Sequence, residues 1–345
     1  METLSPWIYD SFNNCIKSLP NLDVVCERGN ISNMREFKEC ILDSKFVASF
    51  IKDDFIPSNF NKDYVSYSFK VSKNIHVTLY LFENIPIKIH EFVIQYIYTA
   101  CLIIMKNQNQ ADQTEINIYL YFHEKNKDLP TTKGGVICTH NVNSGLTSKY
   151  LFSKGPVTII IYRLQEWEKV LLHELIHAFG LDDHVSTLKY EKKSSLFQEK
   201  FKIVNTEFSL KEAYVEIIAS IIYSGITYLL RNKGCSYKEF AKKYKASLNL
   251  LSKEYIQTAI LLFDHFGIVN YPYTQDIKED TNAFAYIVCK AAFMNEDGYA
   301  IVSDWIVRHK MKLKNLNHNF IDDIQKCLES KYFKKKIENY LKIRQ

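Results

Sequence analysis

Val170-Leu171-Leu172-His173-Glu174-Leu175-Ile176-His177-Ala178-Phe179-Gly180 is the stretch from which the rest of the chain is read. It is apolar over a helical length, and a helix turns about 100° per residue, so residues four apart share a face. His173 and His177 therefore project side by side. Two imidazoles so placed can take two of the four tetrahedral positions around one zinc ion. Glu174, next to the first histidine, falls beside such a metal, where its water would sit. The alternative is a core helix with two satisfied histidines and a surface glutamate. That alternative leaves Glu174 among Leu171, Leu172, Leu175 and Ile176, and a buried unpaired carboxylate is costly.

Upstream, residues 64–71 and 75–82 are rich in β-branched and aromatic residues and predict strands. Residues 89–105 predict a long apolar helix. In 115–123, Ile116, Ile118, Leu120 and Phe122 alternate with Asn117, Tyr119 and Tyr121, the pattern of a half-buried strand. Lys133-Gly134-Gly135 opens a short apolar run, Val136-Ile137-Cys138. After Gly155-Pro156, residues 157–162 are almost continuously apolar, as in a sheet interior. The motif helix follows at once.

This order, with its H-E-x-x-H helix, resembles the upper lobe of the zincin metallopeptidases. The resemblance implies an α+β fold of two lobes. A mixed sheet with a backing helix and the active-site helix forms the upper lobe, over 63–184. An all-helical lower lobe with a basic tail follows over 185–345. Residues 1–62 read as short helices and loops, with Trp7, Phe12, Phe37, Phe46 and Phe50 as core contacts and no visible chemistry. In zincins a short edge strand lies above the metal and takes an extended peptide as an added strand. By position, that edge is 136–143, closed by the loop His140-Asn141-Val142-Asn143-Ser144-Gly145, which makes Cys138, His140, Asn141 and Asn143 the substrate-binding candidates.

Two third ligands compete. His173-Glu174-x-x-His177-x-x-Gly180-x-x-Asp183 resembles the metzincin pattern, with Asp183 in register and His184 one residue late; the usual ligand there is histidine. The expected methionine turn has only Met294 and Met311 to offer, more than a hundred residues on. Gly180 can equally be the left-handed glycine that ends the helix. The other reading takes Lys211-Glu212-Ala213-Tyr214-Val215-Glu216, which opens a second apolar helix 35 residues after His177 and places both acids on one face. Gluzincins resemble this arrangement, which implies Glu212 as ligand and Glu216 steadying a zinc histidine from behind. Ser209-x-x-Glu212 is also a capping box, in which the glutamate would only satisfy a helix-start amide. The glutamate reading is preferred, because Glu216 heads a mostly apolar run that gives a carboxylate no other reason to be there.

After residue 232 the chain predicts helices around 236–247, 251–266, 281–294, 297–310 and 317–343. Zincins commonly place a Tyr or His in this half to bind the oxyanion. His265, Tyr271, Tyr273 and Tyr286 are available, and Tyr286 and His265 are chosen. The resemblance thus implies peptide hydrolysis with one zinc per chain, Glu174 as general base and a peptide or protein as substrate. The rivals are a catalytically silent zincin-like binding or scaffolding protein, and a basic-tailed nucleic-acid or assembly factor.

Bulk properties bound these options. With 345 residues, 47% hydrophobic and 24% charged, the chain is globular and long enough for two lobes. Gly and Pro total only 17, which favours helices. Eight cysteines include no C-x-x-C pair, as in a reduced, intracellular and cytoplasmic protein. The N-terminus has no secretory pattern. The longest apolar stretches, near 92–105 and 217–230, have the length of buried helices rather than membrane spans. Residues 305–345 carry 11 Lys or Arg against 4 Asp or Glu, a charge of +7 that leaves −2 for the rest of the +5 chain. Only Arg308 and Arg344 are arginines there, so a solvated face of terminal helices is expected rather than a nucleic-acid groove.

Overall fold

The apolar run at 157–162 becomes strand β6, one position in from the edge of a six-stranded mixed sheet. The computed structural model describes residues 4–16, 19, 22–30, 63–82, 85–105, 114–148, 156–183, 188–268, 275–309, 311–312 and 319–344. The strands are β1 (Val24–Asn30), β2 (Asp63–Ser72), β3 (Ile75–Phe82), β4 (Thr114–His123), β5 (Gly145–Ser148) and β6 (Val157–Arg163), in the spatial order β1-β2-β3-β4-β6-β5. The first three form an antiparallel meander, β3, β4 and β6 are parallel, and β5 folds back antiparallel onto β6. Parallel neighbours need a crossover, which helix α2 (His90–Met105) supplies between β3 and β4.

Register aligns the apolar alternation across the sheet. Leu79, Ile118 and Ile159 form one cross-strand row, and Leu81, Leu120 and Ile161 the next, all fully buried. These rows join the apolar sides of α1 (Leu4–Ile16), α2 and the motif helix, which after the four-residue helix α3 (Thr139–Val142) is α4 (Trp167–Ala178), in one core. Polar-face residues pair as well: Tyr80 and Tyr119 stack at 4.5 Å between ring centres.

Several expectations are corrected. The substrate edge is not 136–143. Ile137 makes only an isolated bridge to Glu279, and Asn141 closes the helical turn α3 by accepting from the Cys138 amide at 2.9 Å, a local bond that competes with a strand. The edge strand is β5, and Gly145 allows it. A Cβ there would lie 2.8 Å from both Ile161 Cδ1 and Val170 Cγ1, so only glycine brings this backbone against β6 and α4 at once. Residues 24–30, expected among helices and loops, pair with β2 as the opposite edge. Phe37, Phe46 and Phe50 lie outside the described residues.

The second half holds α5 (Leu188–Lys200), α6 (Lys211–Arg231), α7 (Tyr237–His265), a π-helical turn (Ala285–Cys289), α8 (Lys290–Phe293), α9 (Glu296–His309), α10 (Asn319–Glu329) and α11 (Lys331–Arg344). It is not wholly helical. Strands β7 (Ile203–Val204) and β8 (Ile277–Lys278) pair in parallel. The two helices expected between 236 and 266 are one continuous helix, α7. The basic tail is anchored, with Phe333 and Ile337 of α11 fully buried. Among the described residues, two helices, Ile87–Met105 and Lys211–Arg231, are long and apolar enough to cross a membrane by length and composition, and 61% and 89% of their spans are buried within the protein.

Candidate metal centre and its cavity

Helix α4 carries the motif and is shaped at both ends by identifiable residues. Glu166 precedes it with φ of 58°, a left-handed conformation that costs a non-glycine residue about 1–2 kcal/mol. Its carboxylate is clamped, accepting from Lys169 Nζ at 3.0 Å and Lys127 Nζ at 3.2 Å. At the other end, Gly180 (φ 64°) closes a Schellman motif: its amide donates to the His177 carbonyl and the Leu181 amide to that of Ile176. The turn returns the chain so that buried Asp182 lies beside His177.

Helix α6 crosses α4 and brings Glu212 to the two histidines. Glu212 Oε2 lies 3.3 Å from His173 Nε2 and 3.5 Å from His177 Nε2, and the two Nε2 atoms are 3.0 Å apart. These three side chains form a buried to half-buried cluster that can hold a metal ion. Helix α6 starts without a side-chain cap, and the Glu212 amide meets only the Ser209 carbonyl, so its carboxylate serves the histidines and not a capping box.

The far side of each imidazole is occupied by a carboxylate. Glu216 Oε2 accepts from His173 Nδ1 at 3.1 Å, and Asp182 Oδ2 accepts from His177 Nδ1 at 2.8 Å and from Lys211 Nζ at 3.2 Å. A carboxylate can only accept, so each Nδ1 carries a proton and each Nε2 faces the cluster. Glu216 Oε1 accepts in addition from Lys169 Nζ at 2.7 Å and Lys290 Nζ at 2.6 Å. Burial would raise the Glu216 carboxyl, but the two ammonium groups and His173 hold it well below the usual range. Burial would likewise raise Asp182, and His177 with Lys211 holds it at about 2. Burial would depress His173, and the Glu212 and Glu216 carboxylates instead bring it to about 9. The site is an anionic nest that attracts protons in the absence of a cation and would exchange them for one.

Glu174 is buried, and burial lifts its carboxyl above the ordinary value against the opposing pull of His173 and His177. The Thr147 hydroxyl on β5 lies 2.8 Å from Glu174 Oε2 and 3.0 Å from the Glu174 carbonyl. The edge strand thus touches the acid directly. Tyr286 stands in the π-helical turn, an irregularity often found at functional sites, with its ring 5.9 Å from that of His173. Burial, then Glu212, Glu174 and Glu216, keep its phenol protonated far above the ordinary range. His173, Glu174 and Tyr286 open onto one cavity of about 700 Å³.

The remaining candidates divide. Asn141 and Asn143 line this cavity; Cys138 and His140 do not. His265 stands elsewhere: its Nε2 donates to the Gly135 carbonyl at 2.9 Å while its own carbonyl accepts from the Gly134 amide, so it pins a turn to the end of α7. Asp183 is exposed and outside the cluster, one residue past the acid that the turn buries. His184, Tyr271 and Tyr273 lie outside the described residues. Sequence reasoning missed Asp182, Thr147, Lys169 and Lys290. Lys169 had a signal, since it precedes His173 by four residues and so shares its face. Comparison of the chain with family models, with curated proteins and with solved structures finds no match.

Proposed function

We propose that this chain is a zinc-dependent peptidase of zincin-like, two-lobed organisation, with the gluzincin-like ligand set His173, His177 and Glu212. The convergence of three ligand atoms carries the reading. Zinc bonds of about 2.0–2.2 Å arranged tetrahedrally separate ligand atoms by roughly 3.3–3.5 Å. The separations here are 3.0, 3.3 and 3.5 Å, and a point equidistant from the three atoms lies about 1.9 Å from each. Two imidazoles, neutral once a metal displaces their Nε2 protons, and one carboxylate, with each imidazole backed by an acceptor, are the donor chemistry of a catalytic zinc.

Zinc bound there supplies a water acidified to a pKa of about 7 and a Lewis acid for the substrate carbonyl. Glu174, with its raised carboxyl and its anchor on Thr147, accepts the proton of the attacking water and hands it to the leaving amine. Such transfer contributes roughly 10²–10⁴ in rate. Tyr286, held protonated, donates to the carbonyl oxygen as negative charge builds on it. Strand β5 offers its outer edge to an extended peptide, and Asn143 and Gly145 border the cavity where that peptide would continue.

The test is metal content by mass spectrometry on purified wild type, Glu212→Ala and Asp183→Ala, followed by a peptide-library screen of wild type and Glu174→Gln. About one zinc per chain, lost in Glu212→Ala alone, with cleavage abolished in a zinc-retaining Glu174→Gln, is the expected result. Zinc lost only in Asp183→Ala would move the third ligand to the metzincin-like position. Zinc without any cleavage would make the chain a zincin-like binding protein.

A further inference from the structure

Beside the metal cluster a chain of five buried or half-buried charges runs along one wall of the cavity: Lys127, Glu166, Lys169, Glu216 and Lys290. Each neighbouring pair is in contact, at 3.2, 3.0, 2.7 and 2.6 Å in order. The signs alternate and both ends are cations, so the chain carries one net positive charge. The hydrogen-bonding inventory sharpens this. Both carboxylates have each oxygen engaged, Glu166 by Lys169 and Lys127, and Glu216 by the two lysines and His173. An ammonium has three N–H donors. Among the described residues, the Lys127 ammonium meets Glu166, and the Lys290 ammonium meets Glu216 and the face of Tyr255 at 4.0 Å. Both of these lysines line the cavity. The capacity left on this wall is donor capacity on cations. The other acids that line the cavity are Glu174, buried and held by the Thr147 hydroxyl, and the exposed Asp128 and Glu254.

We propose that this cavity seats a carboxylate of the substrate next to the cleaved bond, on one of the cationic ends of this wall, Lys290 or Lys127; the proposal rests on the peptidase reading above. A carboxylate supplies the acceptors that the wall lacks and cancels its residual charge, and charge-assisted bonds of this kind are stronger than neutral ones. The Leu129, Val142, Val170 and Ile287 side chains around the wall leave room for the aliphatic stem of such a group. Burial, and then the nearby Lys169, lower both ammonium groups from the ordinary lysine value against the pull of Glu166 and Glu216, Lys290 to about 8.

The carboxylate can belong to an acidic side chain or to the chain end of the substrate. Zinc-loaded full-length protein is given matched peptides with Glu, Gln, Leu or Lys beside the cut, each as C-terminal acid and as amide, and kcat/KM is read from the products. The expected result is a preference of roughly 10- to 100-fold for Glu over Gln, or for acid over amide, the arm that responds naming the source. In Lys127→Met or Lys290→Met that ratio falls toward one. Ratios within twofold in wild type, or unchanged in both variants, overturn the proposal. Lys290→Met disturbs Glu216, so Lys127→Met, which leaves that pair intact, is the cleaner variant. Should no peptide be cut, the peptidase reading fails and the pocket is still decided by calorimetry with glutarate and glutaramide. Glutarate uptake lost in either lysine variant supports the carboxylate seat. No uptake, or uptake indifferent to both lysine variants because the carboxylate sits on the metal, overturns it.

Discussion

Glu216→Gln separates two consequences of one buried carboxylate. Glu216 is 7% exposed and accepts from two ammonium groups and one imidazole. The glutamine keeps the shape and removes the charge. Lys169 retains Glu166, but Lys290 is left buried with the Tyr255 face and an amide. Removing one partner of a buried pair costs about 3–5 kcal/mol, because the other charge is stranded. The same change weakens the acceptor behind His173, and loss of such support typically lowers metal affinity about 10–100-fold. Two assays read the two effects: urea denaturation of the metal-free protein, and competition for zinc against a chromophoric chelator. Glu216→Gln should lose about 3–5 kcal/mol in the first and one to two decades in the second. Adding Lys290→Met should restore most of the stability, since no ammonium is then stranded, while leaving metal affinity low. A single variant within 1 kcal/mol of wild type and within twofold in zinc affinity would refute the reasoning, as would recovery of both quantities together in the double variant.

Other expectations follow from named contacts. Asp182→Asn should weaken zinc binding about 10–100-fold through His177, whereas Asp183→Asn should leave it unchanged; equal effects in the same chelator competition would mean that the turn after Gly180 is misread. Buried Glu279 accepts from the Phe284 amide at 2.7 Å, and burial raises its carboxyl to about 8. The unfolded chain therefore ionises first, near pH 4.5, and the folded state binds the extra proton between there and about pH 8. Stability should decline as pH rises through that window, by on the order of 5 kcal/mol in full. Glu279→Gln, which keeps an acceptor for Phe284, should flatten the decline; parallel melting profiles for the two proteins from pH 5 to 8 would exclude it.

Local periodicity made the framework readable in the sequence. The motif helix, the long helix before β4 and the strands at 64–71, 75–82 and 157–162 announce themselves because side-chain spacing along a helix or strand is a property of neighbouring residues. Two of the residues that gather at the candidate metal site were legible for the same reason, since His173 and His177 share a helix face by spacing alone; Glu212 was singled out through the resemblance to gluzincins, with Glu216 four residues on. Only the tertiary structure decided which elements meet. The four residues of β5 are too few and too polar to show a pattern, and their role as the edge comes from pairing with β6 and from the space that Gly145 leaves for Val170. Asp182 rather than Asp183 serves His177 because the Schellman turn sets the phase of the returning chain. His265, an equal candidate with Tyr286 in the sequence, was drawn instead to a turn at 134–135. Lys290 reaches Glu216 across 74 residues of chain. A sequence specifies such meetings only through the sum of all its long-range packing, which no local window contains.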